Sequence, residues 1–229
     1  MTMSSEDELL TRARGPATAT RTDLRARSWV LLLLDAVSQV GLSPISKLRF
    51  HRLTYYTNCL ARLYGLGSAD ERIVKFVRGP FYPDLQWHLD RLAATGLARI
   101  SGVRHFVDDS GPWMDAHYAI SRDGVRVVQT LVRLTSQLAL AHFLLEVSKA
   151  YAAQDDADLN DLLLSDVTYD DRRRGLGTVI DFSAARDNLS VQVAESFAEL
   201  VRQPRLLTLE DRIHLYTEYV DRRGRRRLG

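Results

Sequence analysis

Asp84-Leu85-Gln86-Trp87-His88-Leu89-Asp90-Arg91-Leu92-Ala93-Ala94-Thr95-Gly96-Leu97 is the stretch on which the fold turns. Leu85, Leu89 and Leu92 recur at the spacing of one helical face, and Pro83 just before them suits a first helical position. Gly96 supplies the left-handed residue that ends the helix, and Leu97-Ala98-Arg99-Ile100 follows at once as a strand. A second strand, His117-Tyr118-Ala119-Ile120, is joined to the first by a polar loop holding Gly102, Asp108, Asp109, Gly111 and Pro112. Ser121-Arg122-Asp123-Gly124 then caps a further helix, expected to run unbroken from Val125 to about Ala153 on Val128, Leu131, Leu134, Leu138, Ala141 and Leu145. Such a helix spans roughly 45 Å at 1.5 Å per residue, enough to reach beyond a small domain.

Upstream, Val77-Arg78-Gly79-Pro80-Phe81-Tyr82-Pro83 reads as a stiff turn. Before it, Ile45, Leu48, Leu53, Tyr56, Cys59, Leu60 and Leu63 trace an amphipathic helix, with Ser43 as its cap and Pro44 at its first position. That helix is expected to end near Gly65-Leu66-Gly67. Trp29, Val30, Leu33, Leu34, Val37 and Val40 mark an earlier helix that stops at Gly41. Residues 1–27 show no apolar period and read as a mobile arm. Downstream, seven aspartates fall within 155–171, with helices near 189–202 and 209–220, the latter capped by Thr208. The organisation is thus an arm (1–27), a domain (28–124), a long helix with a C-terminal helical region (125–221) and a basic tail (222–229).

The 229 residues are 45% hydrophobic and 26% charged, as in an ordinary globular chain. A single cysteine, Cys59, excludes a disulfide framework and a multi-cysteine zinc site, and its place on an apolar helix face marks it as a buried hydrophobe. The longest apolar run, Trp29–Leu34, falls far short of the roughly 20 residues of a membrane span. A cytoplasmic location is expected, with no membrane association. Charge is uneven: residues 28–154 carry 14 basic and 10 acidic side chains, residues 155–221 carry 7 and 15, and 222–229 carry 5 and none. Such asymmetry hints at a partner or polyanion surface on the middle segment.

The order helix, helix, helix, strand, loop, strand is that of a winged helix-turn-helix, so the expected fold is mainly α with a small β-hairpin wing. The exit Tyr118-Ala119-Ile120-Ser121-Arg122-Asp123-Gly124 resembles the turn common to winged-helix families. Arg78-Gly79-Pro80-Phe81-Tyr82-Pro83-Asp84-Leu85, between long helices before it and after the wing, resembles the middle components of ABC three-component systems. Among these is the accessory C subunit of Lamassu-type antiphage defence, itself similar to the kleisin-associated winged-helix subunits of condensin-like complexes. The likeness covers roughly residues 28–147, and the C-terminal portion carries no motif of that family. The resemblance implies a winged-helix accessory subunit of an antiviral defence complex. It would bind an ATPase of the structural-maintenance-of-chromosomes (SMC) or Rad50-like kind, together with an effector subunit.

In a winged helix that reads DNA, the third helix enters the major groove. Its outward positions here, once the leucine stripe is removed, are Asp84, Gln86, Trp87, His88, Asp90, Arg91 and Thr95. Gln86 and Arg91 have base-reading chemistry, but Asp84 and Asp90 would face phosphates. A tryptophan suits a protein interface better than a groove. Tyr82, Gln86, Trp87, Asp90 and Arg91 are therefore the candidate partner-binding residues. Sequence-blind backbone contact with double-stranded DNA is assigned to Arg49, Arg52, Arg62, Lys75, Arg78 and Arg104, and to the tail residues Arg222, Arg223, Arg225, Arg226 and Arg227.

The sequence carries no phosphate-binding Gly-x-x-x-x-Gly-Lys loop, no Gly-x-Ser-x-Gly and no His-Glu-x-x-His, and its six histidines never pair at helical metal spacing. No catalytic residue, cofactor or metal is expected. The leading expectation is a non-catalytic adaptor that couples DNA sensing on the ATPase to the effector. The alternative is a dimeric winged-helix transcriptional regulator, a homodimer using 125–153 as its dimer helix.

Overall fold

The computed structural model describes residues 20–61, 64–66, 72–108, 111–153, 175–181 and 213–219, and singly Tyr169, Gln192, Thr208, Asp211 and Arg222. The chain is mainly helical with two small antiparallel sheets. Helix α1 (Arg21–Gln39) starts at a capping box in which Thr20 and Asp23 satisfy each other's backbone N–H groups. It therefore begins inside the stretch read as an arm. Trp29 to Leu34 are all buried, so α1 is apolar around its circumference. It is packed on several sides by later elements.

The chain next makes strand β1 (Ile45–Ser46) and then helix α2 (Lys47–Ala61). The sequence places Pro44 at a first helical position; instead it precedes a strand, because Ile45 and Ser46 pair antiparallel with Tyr118 and His117. Strand β2 (Arg72–Phe76) and strand β3 (Gly79–Phe81) form a hairpin where a turn alone is expected. Ile73 and Val74 are β-branched, and β2 gains a second neighbour, β6 (Val179–Asp181), from the C-terminal third. Helix α3 (Pro83–Ala94) then leads through Gly96, at φ +78°, into β4 (Ala98–Asp108). Strand β5 (Gly111–Ile120) returns between β1 and β4, so the first sheet runs β1-β5-β4.

After Ser121, whose hydroxyl accepts from Gly124 N–H and donates to Gly96 C=O, the expected single helix is two. Helix α4 (Arg122–Leu131) stops, the chain turns at 132–134, and α5 (Thr135–Ala152) follows. The apolar stripe changes phase there. Leu134 and Leu138 are exposed, while Phe143, Leu144, Val147, Ala150 and Tyr151 are buried. The break lets α5 pack on α1 and α2 instead of reaching outward. Cys59 is buried, as its apolar face implies.

The described residues of the C-terminal third dock on α2 and β2. Tyr169 donates to Phe76 C=O and meets Tyr55 edge-on, and Tyr56 hydrogen-bonds Thr217 in the helical stretch 213–219. Thr208 caps that stretch through Asp211, as its sequence suggests. The helix expected near 189–202, the aspartates of 155–171 and residues 1–19 lie outside the described residues.

Gly124 sits where α4 starts against β4. A Cβ there would lie 2.2 Å from Leu97 O and 2.8 Å from Ile120 Cγ1. A backbone oxygen cannot swing aside, so Gly124→Ala is expected to cost about 3 kcal/mol in urea denaturation. Ser121→Ala should cost about 1 kcal/mol by the same measurement, as an ordinary lost cap.

Candidate functional site

Helix α3 is fixed by a hydrogen-bond chain whose polarity is fully determined. His51, on α2, accepts the Tyr82 N–H at Nδ1 (3.3 Å), so its proton is on Nε2 and donates to Gln86 Oε1 (2.9 Å). Gln86 Nε2 then donates to Asp90 Oδ1 and to the Tyr118 hydroxyl, each at 2.8 Å. The Tyr118 hydroxyl donates to the same Asp90 oxygen at 2.8 Å. Asn58 Nδ2 donates to the Tyr82 hydroxyl (3.2 Å), extending the chain deeper into α2. The network ties α2, α3 and β5 together under the surface of α3.

Burial pushes the His51 imidazole down to about 4, opposed by its contact with Gln86 and reinforced by nearby Lys47. It is neutral in the folded chain at pH 7. Burial, and then the Asp90 carboxylate, raise the Tyr118 hydroxyl well above its usual range, so it stays a donor.

This network revises two of the candidate partner residues. Tyr82 is fully buried and stacks on His51, so it contacts nothing outside. Gln86 has spent both amide hydrogens on Asp90 and Tyr118 and accepts from His51 at its oxygen, so it has no donor left for a base edge or another chain. His88, read as outward, is also buried, with Nε2 3.8 Å from Asp23 Oδ1 at the start of α1. What α3 does show to solvent is Trp87, 59% exposed, with the Arg91 guanidinium 5.3 Å from its ring centre, flanked by Asp84 and Asp90. Asp84 also lies 3.6 Å from Arg72 of β2.

Among the described residues, most of the basic side chains assigned to a DNA face are engaged within the chain. Arg52 is half-buried and donates to Arg78 C=O, bracing the β2–β3 turn. Arg78 is committed as well: it pairs with Asp108 at 2.5 Å and lies over Trp113 at 4.7 Å. Lys75 lies over the Tyr169 ring, and Arg222 pairs with Glu218 one helical turn earlier. Arg49 is half-buried, and Arg104 is exposed on β4. Arg62, Arg223, Arg225, Arg226 and Arg227 lie outside the described residues.

The exposed apolar surface of the β4–β5 hairpin is a feature the motifs of the sequence did not single out. Val103, Phe106 and Val107 on β4, with Met114 on β5, are all substantially exposed. Phe76 and Val77 on the neighbouring turn are exposed too, and Arg78 links the two sites. The signal was available: Val103, Phe106, Val107, Trp113 and Met114 put apolar groups on both faces of one hairpin, whereas a wing covering a core needs them on one.

Among the described residues no group of three or more metal-ligating side chains comes together, and no helix is long and apolar enough to cross a membrane. Comparison with protein-family models, curated proteins and solved structures finds no match.

The buried histidine makes stability depend on pH. An unfolded imidazole titrates near 6.5 and folded His51 only near 4. Between those values the unfolded chain binds the extra proton. The contribution is therefore complete above about pH 6.5, declines as pH falls, and levels off below about 4. At 1.36 kcal/mol per unit this amounts to about 3 kcal/mol. Urea midpoints between pH 7 and pH 4.5 should fall less steeply for His51→Gln than for the wild type, and parallel profiles would exclude His51 as the source.

Proposed function

We propose that this chain is a non-catalytic winged-helix accessory subunit that grips a protein partner with the exposed face of α3. Three features support the winged-helix reading: the order of α1, β1, α2, α3, β4 and β5; the pairing of β1 onto the hairpin; and the glycine join from α3 into β4. The β2–β3 hairpin between α2 and α3 is an addition to that plan.

The observation that carries the docking role is the composition of the α3 surface. A groove-reading helix presents hydrogen-bonding side chains to base edges and cations to phosphates. Here the amide is consumed internally, two carboxylates are exposed, and the largest outward group is a tryptophan stacked with an arginine, the pair most enriched at interface hot spots. By its resemblance to the accessory subunits of antiphage defence systems, the partner is an SMC-like or Rad50-like ATPase acting with an effector. Any contact with DNA held by that ATPase is made through phosphates and is sequence-blind. The dimeric-regulator reading loses its support, since the helix it needs is broken at 132–134 and much of its second half is buried against α1.

A large coiled-coil ATPase is expected to be encoded beside this chain; co-expression with it should yield a complex at micromolar concentration, and the isolated chain should show neither ATPase nor nuclease activity. Trp87→Ala and Arg91→Glu should each weaken the complex by about tenfold or more without lowering the melting temperature. Absence of such a neighbouring gene, or failure to co-elute with its product, would overturn the reading. So would a palindromic footprint lost on Trp87→Ala, which would restore the regulator.

A further inference from the structure

We propose that the wing is a self-association element: the outer edge of β4 pairs antiparallel with the same edge of a second copy of this chain, centred on Phe106. Among the described residues, strand β4 is at the edge of its sheet. Its register with β5 fixes which backbone groups face outward. Val107 is opposite Pro112, which has no N–H, so that pair exchanges no ladder hydrogen bonds. His105 is opposite Met114, whose carbonyl accepts from Lys47 Nζ and so points away from β4. Both observations place the same parity outward: the N–H and C=O of His105 and Val107 form the open edge.

The segment presenting that edge is self-complementary. After the irregularity between Ser101 and Arg104, β4 reads Arg104-His105-Phe106-Val107-Asp108. Antiparallel pairing about Phe106 sets Arg104 of each copy opposite Asp108 of the other. His105 and Val107 then exchange hydrogen bonds in both directions, four in all. A parallel arrangement in register would instead oppose Arg104 to Arg104. Arg104, Phe106 and Asp108 share one face of the strand, the face on which Arg78 already meets Asp108 and Trp113. The incoming Arg104 therefore joins a charge ladder at a carboxylate already held in place. Val107, 74% exposed, is covered by His105 of the other copy. A foreign strand could use the same backbone edge, but the palindrome of charge around Phe106 specifies a copy of itself. This surface is separate from the Trp87 face of α3, so either assignment can fail without the other.

The test uses the full chain, whose only cysteine is buried. In the proposed register the two copies of residue 106 lie directly opposite, about 4.5 Å apart at Cα, within disulfide reach. The two copies of residue 107 are about 8 Å apart, beyond it. Under mild oxidation Phe106→Cys should form a disulfide-linked dimer roughly tenfold faster than Val107→Cys. In the Phe106→Cys background, Asp108→Arg should slow cross-linking, and adding Arg104→Asp to it should restore the rate. Equal rates for the two cysteine variants would overturn the proposal. So would a double charge reversal no faster than Asp108→Arg alone, which would leave the edge to a foreign strand.

Discussion

The amide of Gln86 is the constraint around which the functional surface is organised. Because His51 Nδ1 accepts from a backbone N–H, its Nε2 must donate, the Gln86 oxygen must accept, and the amide nitrogen must face Asp90 and Tyr118. No member can reverse without leaving a buried donor facing a donor, an error worth a few kcal/mol. One interaction thus fixes how α3 is rotated on α2 and β5, and that rotation decides which residues α3 shows. Gln86 and His88 face inward, while Trp87 faces out.

That rotation explains how far the sequence could be read. The leucine stripe, the glycine join at Gly96 and the Ser121 cap are local features, and each is where its chemistry requires. The inward turn of His88 is not local: it depends on α1 beginning early enough for Asp23 to meet it, and the capping box at Thr20 is the clue. The break at 132–134 was harder to read. The expected stripe and the buried set of α5 are two phases of one amphipathic sequence, and only packing on α1 selects between them. The pairing of β2 with β6 joins segments about a hundred residues apart, which no local pattern encodes.

Several described cations of the middle segment are turned toward partners within the chain for a related reason. Arginine carries an apolar stem and a planar head that stacks, so it is as useful for bracing loops as for meeting phosphates. Arg52 and Arg78 serve the first purpose, one holding the β2–β3 turn through its backbone and the other clamping that turn to the β4–β5 hairpin. Their charge is real, but its direction is set by Asp108 and by aromatic rings. A formal excess of arginine in the middle segment therefore says little about where a polyanion would lie.

The β4–β5 hairpin carries the same logic to its end. A wing that rides on phosphate keeps its cations free and has little use for exposed valine, phenylalanine and methionine. This hairpin has exposed arginines, Arg99 and Arg104, but its apolar groups stand on both faces around the open edge of β4, and Arg78 of the β2–β3 turn is held against it by Asp108. Exposed edges invite pairing, and chains that must avoid it place charge or proline there. Proline does occur in this hairpin, at position 112, but on the inner strand, where its missing N–H faces away from β4 and costs the hairpin no hydrogen bond. The outer strand has no proline, and the two charges flanking Phe106, Arg104 and Asp108, are spaced to attract across an antiparallel pair, so this edge favours pairing.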